Sequence, residues 1–297
     1  MELDQCFCEN PSWGYQSNIS GKTLTTFRIG GHIRHYFEPC GLNNLLLLLK
    51  HLVARDIPFR ILGAGSNVLL PDEDLCVVVI GTRQCAEITV NGLEVTAMCG
   101  VPLAKLIQYA AKLNMGGLEA LSGIPGTIGG AIYMNAGAFK KEISEFVVSV
   151  LAFDNVSKNL VVFSRSDAAF GYRESIFQSR RFVILSATIA FLPLEREYIL
   201  SEIRHYKEIR SARQPQSIPN AGSTFKRPQG DSAARLIDAA GCKGMTFGGA
   251  QISPKHAGFI VNCCHATSSD VKSLVELVRT RVYEQFGVVL ATEIEIW

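Results

Sequence analysis

Two glycine-rich stretches hold the residues whose spacing could do chemistry. In the first, residues 61–70, Gly63-Ala64-Gly65-Ser66-Asn67 interrupts an apolar, strand-like run. Backbone N–H groups of such a turn can cradle a phosphate. A dinucleotide fingerprint would require a third glycine three residues after Gly65 and a helix behind it. Val68 stands there, and Pro71-Asp72 points to a turn and a returning strand. A phosphate nest and a plain strand–strand turn both fit this stretch. The second, SGIPGTIGGAIYMNAGAF (residues 122–139), holds Gly123, Gly126, Gly129, Gly130 and Gly137, with Thr127 and Asn135 between them. Glycines at that density let the backbone approach a ligand closely, whereas strand bends account for two or three of them. Neither block is a Walker or Rossmann loop, so together they suggest a large extended ligand, such as a dinucleotide, lying across both. Their spacing does not specify a flavin.

The elements that must position these loops are mostly strands. From about Phe27 to Pro193 the runs FRILG, LCVVVI, EITVNGLEVTAMCG with an Asn91-Gly92 turn, FVVSVLAFD, LVVFSR and FVILSATIAF read as strands. Two helices interrupt them: a leucine run at residues 45–53, capped by Asn43-Asn44 and closed near Pro58, and PLAKLIQYAAKLNM, with Pro102 in its first turn. The pattern is α+β with strands dominating, in place of regular β-α-β alternation. Composition shifts to a charged, helix-period stretch after about Pro193, which we read as a domain boundary. Beyond it come a helix in DSAARLIDAA closed by Gly241, a strand in AGFIVN, and a helix over SSDVKSLVELVRTRVYEQF closed by Gly287. In that helix Val271, Leu274, Val275, Val278, Val282 and Phe286 form one apolar stripe. VVLATEIEIW closes the chain as a strand.

A chain of 297 residues is long enough for two or three packed units. With 19% charged residues and a net charge of +2, nothing points to nucleic acid or an anionic membrane as partner. An anionic ligand must be met by locally placed Lys and Arg. Nine cysteines without paired CxxC spacing read as reduced, mostly buried thiols, with no disulfide framework and no metal site. The start of the chain has acids where a signal peptide carries lysines, which reads as cytoplasmic. The leucine run is broken by Lys50 and His51 and falls short of the roughly 20 residues a bilayer span needs.

Six ordered blocks make the pattern specific: TTFRIGG (25–31), LGAGSNVLLPD (62–72), residues 122–139, FGYRESIF (170–177), NAGSTFKRP (220–228) and KGMTFGGAQISPKHAGFIVN (243–262). From about Thr23 to Glu293 the chain resembles the UDP-N-acetylenolpyruvoylglucosamine reductase family. The resemblance implies an FAD-binding domain of the vanillyl-alcohol-oxidase (PCMH) type followed by a smaller α+β substrate-binding domain. It divides the chain into an N-terminal extension (1–22), an FAD-binding domain (23–193, with lobes of about 23–81 and 82–193) and a substrate-binding domain (194–297). It implies FAD as cofactor, NADPH as reductant and a small-molecule UDP-sugar as substrate, in peptidoglycan precursor synthesis, cell-wall biogenesis, cell shape and cell division. Between Phe177 and Arg196 there is room for little more than one strand, which resembles the shorter form of the family, without its tyrosine-bearing insertion. The chain departs from the family pattern at His32, His35, Arg227 and at Lys140, where a Gly is expected.

Reducing an enol ether conjugated to a carboxylate requires a hydride, a cation or donor for the enolate, and a positioned acid for the α-carbon. The resemblance places these roles on Arg173, Ser223 and Glu293. Glu293 either stabilises the enolic carboxylate when protonated or orients a donor when ionised. FAD contacts are expected at Gly63, Ala64, Gly65, Ser66, Asn67, Gly123, Ile124, Pro125, Gly126, Thr127, Gly129, Gly130, Asn135, Gly137 and Ala138. Substrate contacts are expected at Tyr172, Arg213, Asn220, Lys226 and Lys243. Two rivals compete: another oxidase or dehydrogenase on the same FAD fold, and a nucleotide-binding module without turnover. The first does not explain NAGSTFKRP or Glu293, and the second has no need for Arg173, Ser223 and Glu293 together.

Overall fold

Leu45, Leu48, Leu49 and Leu52 recur at helical spacing, and all four are buried along α1 (Gly41–Ala54). The structure, a computed structural model, describes residues 10–297; Cys6, Cys8 and the acidic start of the chain lie outside them. α1 begins earlier than Asn43-Asn44, because Cys40 is its N-cap and Asn44 Nδ2 donates back to the Cys40 carbonyl (2.7 Å).

The chain divides into two units, each assembled from three stretches. The first comprises the described residues up to Ser17, His35–Ala64 and Val77–Glu208; the second comprises Asn18–Arg34, Gly65–Cys76 and Ile209–Trp297. Pro193 falls in a two-residue strand, Leu192–Pro193, within the first unit.

A four-stranded sheet runs in the order Tyr15–Ser20, His32–Phe37, Val78–Gly81, Phe59–Leu62, of which Tyr15–Ser17, His35–Phe37 and the last two strands belong to the first unit. The last three strands are parallel, and α1 connects two of them. This local β-α-β unit departs from the expected pattern. Its central strand, Val78–Gly81, is buried throughout, as a parallel strand covered on both faces must be. A second sheet is antiparallel, in the order Leu160–Ser164, Val147–Asp154, Phe182–Ala190, Glu94–Met98, Ile88–Asn91. The hairpin closing it pairs Asn91 with Glu94, so its turn residues are Gly92-Leu93 rather than Asn91-Gly92. α2 (Leu103–Ala111) follows Pro102 and buries Leu103, Leu106, Ile107 and Ala110 in the same core. The glycine block also holds a short helix, α3 (Ile128–Tyr133), that the strand reading misses. α4 (Arg196–Arg213) carries the chain out of this unit.

The second unit is built on an antiparallel sheet of Asn220–Ser223, Phe259–Asn262, Ala250–Ile252 and Thr246–Phe247, with α5 (Ala233–Ala239) and α6 (Ser268–Phe286). Five of the six stripe residues of α6 are buried, and Phe286 packs against them half-buried. Thr267 and Asp270 form a capping box, and Asp72 adds a second cap by accepting from Ser268 N (2.7 Å) and Ser269 N (3.0 Å). The final strand is shorter than expected: Glu295–Ile296 runs parallel to Val68–Leu69, with Ile294 buried and Ile296 exposed. Both units are α+β, the fold class expected from the sequence. Of the described cysteines, Cys85, Cys99 and Cys242 are buried, but Cys40, Cys76, Cys263 and Cys264 are exposed, which corrects the expectation of mostly buried thiols. Cys76, for example, precedes the buried strand by two residues.

Candidate active site

In the first unit the two glycine blocks meet. A Cβ added at Gly63 would lie 2.6 Å from Thr127 Oγ1, so any larger residue would have to displace that hydroxyl. Thr127 caps α3, its Oγ1 accepting from Gly130 N (3.4 Å). Gly123, Ile124, Pro125 and Gly126 lead into that cap, and Gly129 N donates to Cys99 O (2.8 Å). Arg83 Nη2 donates to Ala64 O (3.2 Å), bringing a guanidinium to the first block. Sequence reasoning missed Arg83; the available signal was its place just past the buried parallel strand Val78–Gly81, where α/β sheets bind ligands. The first block is not a hairpin: the strand before it, Phe59–Leu62, pairs with Val78–Gly81, whereas Val68–Leu69 pairs with Glu295–Ile296.

Beyond α3 the chain makes a small hairpin pairing Gly137 with Glu142 and Ala138 with Lys141. Here the structure places Arg173. Its Nη2 donates to Gly137 O (2.8 Å) and its Nη1 to Asn135 O (3.4 Å), with Glu142 Oε1 3.9 Å away. The Tyr172 ring lies 5.1 Å from the guanidinium carbon. Two chain-distant expectations, the glycine block and Arg173, are thus brought together. Asn135 is buried, and its polar groups are engaged within the protein, its backbone N–H donating to Ile132 O (3.2 Å).

In the second unit Gly65 O accepts from Thr26 N (3.0 Å), and Thr26 Oγ1 donates to Asn220 O (2.7 Å). Asn67 Nδ2 donates to Glu293 O (3.0 Å), and Glu293 N donates to Thr224 O (2.8 Å), beside Ser223. Two hydrogen-bonded links therefore tie these segments together, one from Gly65 through Thr26 to Asn220 and one from Asn67 through Glu293 to Thr224, the residue after Ser223. Ser223 ends its strand after a bulge, since Asn220 pairs with Val261 but Ser223 with Phe259. Ser66, between Gly65 and Asn67, is half-buried. Lys226 N donates to Ala291 O (2.8 Å), which ties it to the same segment. The Asn220 side chain is occupied locally: Nδ2 donates to Ile218 O (2.7 Å), and Oδ1 accepts from Gly222 N (2.9 Å). Lys243 pairs with Asp238 (2.9 Å), and Arg213 is exposed at the end of α4. Burial lowers the His256 pKa below its ordinary value, with Lys243 adding a smaller push in the same direction.

Comparison with known proteins gives the class first. Residues 34–158 match the FAD binding domain family, which makes this a chain with a flavin-adenine-dinucleotide fold. Residues 214–297 match the family described as UDP-N-acetylenolpyruvoylglucosamine reductase, C-terminal domain. The UDP-N-acetylenolpyruvoylglucosamine reductase of Thermotoga maritima is 42% identical over 275 residues, covering 92% of this chain and 95% of that protein. That of Clostridium botulinum is 39% identical over 278 residues, covering 93% and 90% respectively. The crystal structure of the reductase (MurB) from Thermus caldophilus superposes with a TM-score of 0.80 at 32% identity, covering 95% of this chain and 99% of the other. The chain belongs to the UDP-N-acetylenolpyruvoylglucosamine reductase family.

Proposed function

We propose that this protein is a flavin-dependent oxidoreductase that reduces UDP-N-acetylglucosamine enolpyruvate to UDP-N-acetylmuramate with NADPH. The observation that carries the reading is the meeting of the two glycine blocks at Gly63 and Thr127 in a chain of this family. Such paired backbone suits a dinucleotide whose pyrophosphate needs N–H donors and close approach, and Arg83 adds a cation at Ala64. The residues present therefore fit FAD, held by residues 63–67 and, from the second block, by residues 123–127, Gly129, Gly130, Gly137 and Ala138, while the Asn135 side chain is engaged within the protein. When bound, the flavin supplies the hydride taken from NADPH.

The chain's own side chains supply the rest. Arg173 stays charged and offers paired donors, which suits the enolpyruvate carboxylate as charge builds on it. Ser223, which follows the bulge in its strand, delivers the proton to the α-carbon; a hydroxyl is a weak acid in water but suffices against a basic enolate. Glu293 works on the same carboxylate, and the segment bearing it is fixed by Asn67 and Thr224. Tyr172, Arg213, Asn220, Lys226 and Lys243 contact the UDP-sugar, with residues 23–193 serving the flavin and 194–297 the substrate. Among the described residues no helix is long and apolar enough to cross a membrane. We place the enzyme in the cytoplasm, where its product feeds cell-wall biogenesis, cell shape and division.

The test is an anaerobic spectral titration of the FAD-loaded protein. NADPH should bleach the flavin band, and UDP-N-acetylglucosamine enolpyruvate should restore it. In the Ser223→Ala variant bleaching should persist while restoration slows by ~10²–10⁴, the usual contribution of a positioned acid. A reduced flavin indifferent to the enolpyruvate would sink the substrate assignment.

A further inference from the structure

Arg173 occupies a backbone conformation that has to be held in place. Its φ is +57°, in the left-handed region that residues with a Cβ rarely adopt. It sits at the tip of a tight turn in which Gly171 N donates to Glu174 O (3.0 Å) and Glu174 N donates to Gly171 O (3.1 Å). Two side chains from outside grip the carbonyls of this turn. Asn135 Nδ2 donates to Gly171 O (2.8 Å), and Gln178 Nε2 donates to the carbonyl of Arg173 itself (3.0 Å).

Both grips are anchored in turn. Asn135 is 1% exposed; its Nδ2 also donates to Glu142 Oε2 (2.9 Å), and its Oδ1 accepts from Ser144 N (3.2 Å). Its carbonyl accepts from the guanidinium it helps to place. Gln178 Nε2 also donates to Tyr133 O (3.1 Å), the last residue of α3, and Ser175 Oγ donates to the same oxygen (2.7 Å). The turn that bears Arg173 is thereby bolted to the helix inside the second glycine block.

We propose that Asn135 and Gln178 are positioning residues for Arg173, clamping its turn so that the guanidinium stays where the enolpyruvate carboxylate is received. The proposal rests on the reading of Arg173 as that carboxylate's partner. It assigns Asn135 to the turn, where the family resemblance assigns it to FAD. A small displacement of such a group is costly, because an error near 1 Å in a reacting geometry loses on the order of 10²-fold in rate.

The experiment compares Gln178→Met, Asn135→Asp and Arg173→Lys as FAD-loaded full-length proteins, with FAD affinity, thermal midpoint and each half-reaction measured. Gln178→Met keeps size and removes the donor, and Gln178 is only half-buried, so this variant tests the clamp even where Asn135→Asp folds poorly. For Gln178→Met, FAD affinity and the rate of flavin bleaching by NADPH should stay within about twofold of wild type. Restoration of the flavin band by UDP-N-acetylglucosamine enolpyruvate should slow at least tenfold, in kcat more than in KM. Asn135→Asp should show the same imbalance, with the second half-reaction falling at least tenfold further than the first. If Arg173→Lys slows restoration but Gln178→Met does not, the clamp is refuted and the role of Arg173 stands. If Arg173→Lys itself leaves restoration unchanged, the reading beneath the proposal fails. An equal loss of both half-reactions, or of FAD affinity, in Gln178→Met would make the residue merely structural and overturn the proposal.

Discussion

Lys140 stands at φ +64° beside Phe139 at +52°, as the two loop residues of the hairpin that pairs Ala138 with Lys141. Two positive φ values in succession define the mirror-image turn that favours glycine in second place. An L-residue with a Cβ gives up ~1–2 kcal/mol there, while a glycine adds ~0.4–1 kcal/mol of unfolded-state entropy. Lys140→Gly should therefore stabilise the protein by ~0.5–1 kcal/mol, seen as a higher denaturant midpoint at unchanged slope. His256 makes the opposite kind of case. Burial lowers its pKa in the folded state, so the unfolded chain takes up the proton first and stability rises with pH. Its contribution is complete above the unfolded value of about 6.5 and is lost as pH falls through the folded value. His256→Asn should flatten the dependence of unfolding free energy on pH below about 7, and equal slopes in the two proteins would refute it. At this scale Arg173, Ser223 and Glu293 are nominated by the sequence because they sit inside stretches that resemble family motifs. Arg83 and Gln178 are not, since Arg83 offers only its place after a strand and one glutamine in a short 3-10 turn has no spacing to betray it.

Among elements, those written in a long period were the clearest. The stripe and the terminal Gly287 of α6 specify its length, and the αL conformation of Gly287 (φ +66°) ends it as expected. α3 escaped notice because Gly129-Gly130 lie in its first turn, and glycine is a poor helix former whose local vote is for a loop. The bulge between Asn220 and Ser223 is equally invisible in local pattern, since a bulge is a property of two paired strands and not of one segment. The two-strand pairing also separates two glycines that look alike in sequence. Gly222 has φ +80° and nothing within 4 Å of an added Cβ, whereas at Gly65, with φ +66°, the Cβ would lie 2.3 Å from Leu24 O. Gly222→Ala should thus cost only the left-handed penalty of ~1–2 kcal/mol. Gly65→Ala must displace backbone in addition, so it should lower the thermal midpoint further and impair FAD binding. Equal losses in the two variants would show that contact at Gly65 is relieved without consequence.

For the molecule as a whole, the feature that local pattern could not convey is the alternation of the chain between its units. Periodicity reports which face of a segment is apolar, and composition reports where character changes, but neither says which distant segment covers that face. Phe27 and Ile29, from the TTFRIGG block, and Leu69, just past the first glycine block, are buried in one core with Val271, Leu274, Val278 and Ile260 of the C-terminal stretch. Leu69 also belongs to the strand that pairs with Glu295–Ile296. Burying three such side chains contributes ~2 kcal/mol each, about 6 kcal/mol in all, comparable to the ~5–15 kcal/mol by which a whole domain is stable. A fragment of residues 194–297, cut where the composition changes, lacks all three and the Val68–Leu69 strand. It should show no cooperative thermal transition and should bind a dye for exposed apolar surface, while the full chain unfolds cooperatively. A sharp transition in the isolated fragment would mean that its core closes without Phe27, Ile29 and Leu69, and that the early segments serve the site rather than the fold.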